Sequence, residues 1–347
     1  MTKQILAALI LVGAFAGLAS AQDVRVTPVR GNIYMITGDG GNTTVSIGGD
    51  GALMVDTGAG QKSERLVAAV QQLLKNVTAA PAPAKPCLGC AGNASPYFNT
   101  ITASPDPAKP IRYIINTSAR PEHVGGNEKV ALAGRAITGG DIVQEILAGA
   151  AYERAPVFAH ENVLIAMSDS SNGKPAPSAA LPGEVYNRPL YKLSQFINGE
   201  GIQIFHPESA ISDGDSIVFF RYSDVISTGD IFTTTNYPMF DAKKGGSIQG
   251  VIDALHQILD LSVAENRSQG GTMIIPGHGR LCDSADVAYY RDMLTIIRDR
   301  VQDLMKKGRT LEQVKAAKAT MDYDGRYATK EWTGDMFVEA VYNSLKK

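Results

Sequence analysis

Four short apolar runs in this 347-residue chain each stop at a polar side chain beside a turn signal. The four are Asp56 in Val-Asp-Thr-Gly, Asn116 in Asn-Thr-Ser, Asp230 in Thr-Gly-Asp and His278 in Pro-Gly-His-Gly. One such residue would mark an ordinary turn. Four together indicate one site, because the loops that follow the strands of a helix-covered sheet gather polar groups above a rigid floor.

The elements that must position them can be read from periodicity. Residues 52–55, 111–115, 217–220, 225–226 and 273–275 are almost wholly apolar, the pattern of strands buried on both faces, so sheets covered by helices are expected. Three helices supply cover. Residues 61–75 carry an apolar stripe of Leu66, Val70, Leu73 and Leu74, and Ser247 opens a second helix with Ile248, Ile252, Leu255 and Leu259 inward. Ser284 caps a third, with Val287, Tyr290, Leu294, Ile297, Val301 and Leu304 on one face and Gly308 at its end. Two stretches rich in Pro and small polar residues, 77–110 and 168–182, read as insertions.

Composition narrows the function classes. The formal charge is −2 with no long like-charge run, so nothing points to nucleic acid or an acidic membrane surface. Lys3, the apolar run 5–18 and the small-residue site Ala19-Ser20-Ala21 make residues 1–21 a secretory signal peptide. The mature chain is then expected in the periplasm or outside the cell, without stable membrane insertion. In that oxidising setting Cys87 and Cys90 can close a local disulfide and leave Cys282 unpaired, a small residue expected to be buried. Ala91 stands where covalent haem attachment needs a histidine, and no second CxxC completes a zinc site. The CxxC segment joins the end of the 61–75 helix to the 111–115 strand, which places it far from His123 and His278.

Five ordered motifs carry a family resemblance: residues 55–58, Asn-Thr-Ser-Ala-Arg-Pro-Glu-His-Val-Gly-Gly-Asn at 116–127, Ala-Ile-Ser-Asp-Gly-Asp-Ser at 210–216, Ser-Thr-Gly-Asp at 227–230 and Pro-Gly-His-Gly at 276–279. In order and spacing they resemble the metallo-β-lactamase superfamily, from about Asn32 to the end of the helix begun at Ser284. The resemblance implies an α/β fold, a four-layer αβ/βα sandwich of two mixed β-sheets flanked by helices, with a metal site at one edge. It assigns residues 22–310 to that domain and leaves 311–347 as a C-terminal helical extension packed on it.

The family's H-x-H-x-D-H motif falls on Ser118, Arg120, Glu122 and His123, and its next histidine on Ile211. One metal position has therefore lost Ser118, Arg120 and Ile211 together. The other is implied to keep Glu122, His123, Asp230 and His278 as ligands to one divalent ion, zinc being the expected metal. Asp230 and Arg120 become the catalytic candidates, and Arg120 and Asn127 the substrate-binding ones. Arg120 stands where the missing cation's charge would have been, and salt-bridge contact with Glu122 or Asp230 is expected. His160, His206 and His256 match no ligand motif and read as surface or capping residues, and Ser118 has no base that would make it a nucleophile.

Two readings follow. The first is a metal-assisted hydrolase of an ester, thioester, lactone or lactam, taking a small-molecule substrate. The second is a non-catalytic binding protein in which Arg120, Glu122 and Asp230 form an ion cluster in place of metal.

Overall fold

The computed structural model describes residues 24–78, 111–136, 154–169, 174–262 and 270–346. The signal segment, Cys87, Cys90 and nearly all of the 77–110 insertion lie outside the described residues. Seven strands form the first sheet: β1 (Arg25–Arg30), β2 (Ile33–Thr37), β3 (Thr43–Gly48), β4 (Gly51–Val55), β5 (Ile111–Ile115), β6 (Val157–His160) and β7 (Glu184–Tyr186), hydrogen-bonded in that order. The first four run antiparallel, and β4 to β7 are parallel. The second sheet has the order β12 (Met273–Ile275), β11 (Val225–Ser227), β10 (Ile217–Phe220), β9 (Ile202–Phe205), β8 (Leu190–Lys192). Only β11 and β12 pair in parallel there.

Both sheets are covered on both faces, and single strands show why their sequences are continuously apolar. Leu53 and Val55 of β4 pack with Val218, Phe220, Val225 and Ile275 in the layer between the sheets. Ala52 and Met54, one residue out of phase, pack outward with Leu66 and Val70 of the helix Ser63–Thr78. In the second sheet Ile217, Phe219, Ile226 and Ile274 face outward onto the helices Ile248–Leu261 and Ser284–Lys306. Side chains alternate across a strand, so an element sandwiched between two cores must be apolar at every position.

Ser247 caps its helix as expected, accepting from the Gly250 amide. The cap of Ser284–Lys306 is corrected by one residue: Asp283 accepts from the amides of Ala285 and Asp286, and the Asp286 side chain reaches back to the Asp283 amide. A carboxylate there complements the positive helix end better than a hydroxyl. Part of the 168–182 stretch is built into the domain, since the Ala180 carbonyl accepts from Asn127 Nδ2 at 3.0 Å. Among the described residues no helix is long and apolar enough to cross a membrane.

Residues after 310 form the helices Leu311–Ala316, Asp324–Tyr327 and Gly334–Ser344. Phe337, Val338 and Val341 are fully buried in the same core as the second sheet. The Phe337 ring stacks on Tyr237 at 4.6 Å between centroids, and the Tyr237 hydroxyl donates to Asp324 at 3.0 Å. This segment therefore completes the outer helix layer. Phe337→Ala is expected to cost about 3–5 kcal/mol of stability through the cavity it leaves, read as a lower urea midpoint in one cooperative transition; a transition of unchanged midpoint would show the segment to be dispensable.

Candidate functional site

Strands β4 and β5 end side by side at Asp56 and Asn116, and β11 and β12 end side by side before Asp230 and His278. Asn42 ties the two edges together. Its backbone amide donates to the Gly277 carbonyl at 2.7 Å, and its Nδ2 to Pro276 O at 2.9 Å and Gly279 O at 3.1 Å. The Ser216 amide makes a second tie, to the Thr117 carbonyl at 2.8 Å.

Asp56 sits at φ 65°, a left-handed conformation that Asp and Asn adopt more readily than other non-glycine residues. The turn aims its carboxylate back over the sheet edge. There it accepts from the Thr117 amide (2.8 Å), the Thr117 hydroxyl (2.6 Å) and His123 Nδ1 (2.8 Å). His123 lies in a single turn, Pro121–Val124, opened by a proline and followed by glycines, and its carbonyl accepts from the Thr57 amide at 2.8 Å. The ring has no solvent exposure.

These contacts decide the imidazole's chemistry. With Nδ1–H donated to Asp56, the neutral ring presents a lone pair at Nε2, which lies 2.9 Å from Asp230 Oδ1. Neither atom has a partner in hydrogen-bond geometry among the described residues. Such a pair needs a positive charge: a proton on Nε2 or a cation held by both. Burial opposes protonation, yet the carboxylates of Asp230 and Asp56 outweigh it and hold the His123 pKa well above its ordinary value. For Asp230, burial favours the neutral acid, but His123, His278 and Arg120 outweigh it and hold the carboxyl well below the usual carboxylate range.

His278 Nε2 approaches the same Oδ1 at 3.3 Å, its ring edge-on to His123 at 5.7 Å between centroids. Donor atoms of His123, Asp230 and His278 all lie within 4.8 Å of one another. Gly277 lets β12 pass this close, because a methyl at that position would overlap the Asp230 carboxylate. On the other side of Asp230, Arg120 Nη1 lies 3.2 Å from Oδ2 and 3.4 Å from Glu122 Oε1, while Nη2 donates to the Met239 carbonyl.

The pattern of the metallo-β-lactamase superfamily matches residues 27–278, well over half of the chain. The chain belongs to the metallo-β-lactamase superfamily. Among solved structures it is similar to the inverting sec-alkylsulfatase Pisa1 from Pseudomonas sp., with a TM-score of 0.56 and 16% identity over 92% of this chain and 50% of that one. It is also similar to the DIM-1 metallo-β-lactamase (TM-score 0.49, 14% identity, 79% of this chain and 97% of that one) and to a metallo-β-lactamase from Pontibacter korlensis (0.49, 13%, 79% and 99%). The chain thus spans about half the length of the sulfatase, and these likenesses speak to fold alone. No curated protein matches it.

Members of this superfamily typically bind metal ions, and the residues present fit one. Two buried, unpartnered ligand atoms face each other, a second imidazole is at hand, and Asp56 fixes the tautomer that frees Nε2, as carboxylates commonly do for metal-binding histidines. His123, Asp230 and His278 would hold the ion, and three protein donors are the number that leaves a position open for chemistry. Glu122 stands apart from this cluster, paired with Arg120. Arg120 makes the carboxylate contacts expected of it, with both Glu122 and Asp230.

At the motif positions of the superfamily's other ligands, the described residues present no ligand group. Ser118 Oγ is buried and accepts from the Arg120 amide at 3.3 Å, and Ile211 is buried in the helix-facing core. The expectation that Asn127 binds substrate does not match its placement. Fully buried, it donates to Asn116 Oδ1 (2.8 Å) and Ala180 O and accepts from the Thr57 hydroxyl (2.9 Å) and Asn116 Nδ2 (3.1 Å), so no group is left for a ligand. Asn116, the fourth strand-end residue, is spent in the same network. Cys282 is buried and its thiol is pushed up to about 12, chiefly by burial, as befits a packing residue.

Sequence reading missed the use of Asp56 as the partner of His123 and the contribution of Thr329, Glu331 and Trp332 to the cleft. It also placed His160 too near the surface. His160 caps the helix Glu161–Ser168 through Nδ1, as a capping residue should, but it is buried and stacked on His206 at 3.7 Å between ring centroids.

Asp56→Asn keeps a residue suited to φ 65° while removing the charge that fixes His123. Zinc affinity is expected to fall about ten- to a hundredfold, measured by competition with a chromophoric chelator, with the far-ultraviolet circular dichroism unchanged; unaltered affinity would show that Asp56 does not set the ring. A second outcome concerns His160, whose pKa burial and the neighbouring His206 lower to about 4. The unfolded side chain binds its proton near ~6.5, so unfolding takes up a proton between these values. The stability that His160 contributes is complete above ~6.5 and is lost as the pH falls toward 4. His160→Asn retains a capping side chain and is expected to flatten urea midpoints over that pH range; an equal slope in both proteins would remove His160 as its source.

Proposed function

We propose that this chain is an exported hydrolase with a reduced, single-metal site, acting on a small ester, thioester, lactone or lactam. The observation that carries the reading is the pair His123 Nε2 and Asp230 Oδ1, buried, 2.9 Å apart and without a hydrogen-bond partner among the described residues, with His278 Nε2 3.3 Å from the same oxygen. An ion held there, zinc by its donor set, would polarise an acyl carbonyl and make water nucleophilic near neutral pH.

The protein's own contribution is arrangement. Asp56 and Thr117 hold His123 in register, and Arg120 holds Oδ2 of Asp230 so that Oδ1 stays turned toward both imidazoles. Arg120 remains a quarter exposed toward the cleft, its guanidinium fixed by Asp230, Glu122 and the Met239 carbonyl. Export is supported by Lys3, the apolar run 5–18 and the small residues 19–21.

A second reading is favoured by one specific contact. Arg120 already pairs with both Asp230 and Glu122, which is the ion cluster of a metal-free binding protein.

The purified mature chain, loaded with zinc at neutral pH and dialysed, is expected to retain one ion per chain by elemental analysis and to lose it in His278→Ala. Asp230→Asn is expected to lower hydrolysis of a panel of activated esters and lactones by about a hundredfold or more. Two tightly held ions, both lost in His123→Ala, would overturn the single-site assignment, and failure to retain any would leave the binding protein.

A further inference from the structure

The cleft beside the candidate site encloses about 240 Å³, small for a ligand pocket. Part of its lining comes from beyond the superfamily-matched segment 27–278: Thr329, Glu331 and Trp332 join Pro238, Met239, Arg120 and the metal-site edge. These three residues form a set turn. The Thr329 amide donates to the Trp332 carbonyl at 3.0 Å, and the Trp332 amide to Thr329 Oγ1 at 2.9 Å. Trp332 packs against the buried core that includes Phe337. Its indole Nε1–H is buried yet has no hydrogen-bond partner among the described residues.

The charges around this space are unequal. Three carboxylates, Glu122, Asp230 and Glu331, line it against one guanidinium, that of Arg120, which is already engaged by Glu122, Asp230 and the Met239 carbonyl. A divalent ion at His123, Asp230 and His278 would bring the lining only to approximate neutrality. Away from any open position on such an ion, an entering anion therefore meets no unspent guanidinium, whereas a cation meets the exposed carboxylate of Glu331 and an indole surface that attracts positive charge.

We propose that Thr329, Glu331 and Trp332 are the specificity wall of the cleft, selecting a small substrate whose group remote from the reacting carbonyl is apolar-faced and cationic or uncharged, and disfavouring anions. The word substrate rests on the hydrolase reading above; the charge selection does not. Glu331 sets the charge preference and Trp332 supplies the apolar face.

Trp332 is the sole tryptophan of the chain, so its emission reports occupancy of this wall directly. The full mature chain, zinc-loaded, is titrated with three benzyl probes of different charge: benzyltrimethylammonium, benzyl alcohol and phenylmethanesulfonate. The expected order of affinity is cation, neutral, anion, with cation and anion separated by about tenfold or more. Glu331→Gln is expected to remove the cation's advantage over benzyl alcohol while leaving benzyl alcohol binding unchanged, which a general disturbance of the fold would not do. Equal or tighter binding of the sulfonate, an unchanged cation-to-neutral ratio in Glu331→Gln, or no saturable emission change with any probe up to its solubility limit would each overturn the proposal. Because the readout is binding, the charge order found without ester hydrolysis would retain the wall and remove the hydrolase, and hydrolysis without the charge order would do the reverse.

Discussion

The carboxylate of Asp230 is almost fully buried where the ends of two sheets meet, and a buried charge in such a place must be compensated on every side. One oxygen is answered by Arg120 and the other faces His123 and His278. These partners come from two chain segments, the turn that carries Arg120 and His123 and the loop after β12, and none is placed by Asp230 itself. Each is brought in by backbone: His123 by a turn pinned through its own carbonyl, His278 by the end of β12, Arg120 by the residue that opens the His123 turn. The site exists because the two sheet edges are held in register to within a hydrogen bond.

That register depends on features with no chemistry of their own. Asn42 donates three times across the junction, and the network of Asn116, Asn127 and Thr57 fills the space beneath the His123 turn without leaving a polar atom of the Asn127 amide unpaired. Gly229, at φ 52°, stands where a side chain would overlap Thr117, and so allows Asp230 to turn inward directly after β11. A polar network this deep is stabilising only when complete, which ties the geometry of the metal-binding edge to the integrity of the core under it.

The sheets, the stripe-bearing helices and three of the four strand-end residues were legible in the sequence because each follows from a local rule: continuous apolar runs, three-and-four spacing, a polar residue beside a turn. The His123, Asp230 and His278 grouping followed from motif order. What escaped had no local signature. Asn127 looks like a ligand-facing amide beside paired glycines, and only burial from Ala180 and Thr57 shows that its hydrogen bonds are already used. Glu122 sits in a ligand position of the family motif, and its pairing is decided by the neighbouring Arg120. Trp332 reaches the cleft through packing of the last helices on Tyr237, a long-range contact that no residue spacing reports.

A guanidinium beside Asp230 holds its carboxylate with a different kind of charge from a metal ion. A metal ion is lost when its imidazole ligands are protonated, so its charge is conditional on pH and supply. A guanidinium carries its proton across the whole range in which proteins fold, and it is covalently attached beside the ligand it serves. Its charge is single and spread over three nitrogens, so it compensates Asp230 Oδ2 and Glu122 without competing for the lone pairs of His123 and His278. The consequence is an asymmetric edge: one side is held by Arg120, Glu122 and the Met239 carbonyl, and the other keeps two buried ligand atoms without hydrogen-bond partners among the described residues. Positive charge can still be added only on the second side, which is where the cleft and its C-terminal wall open.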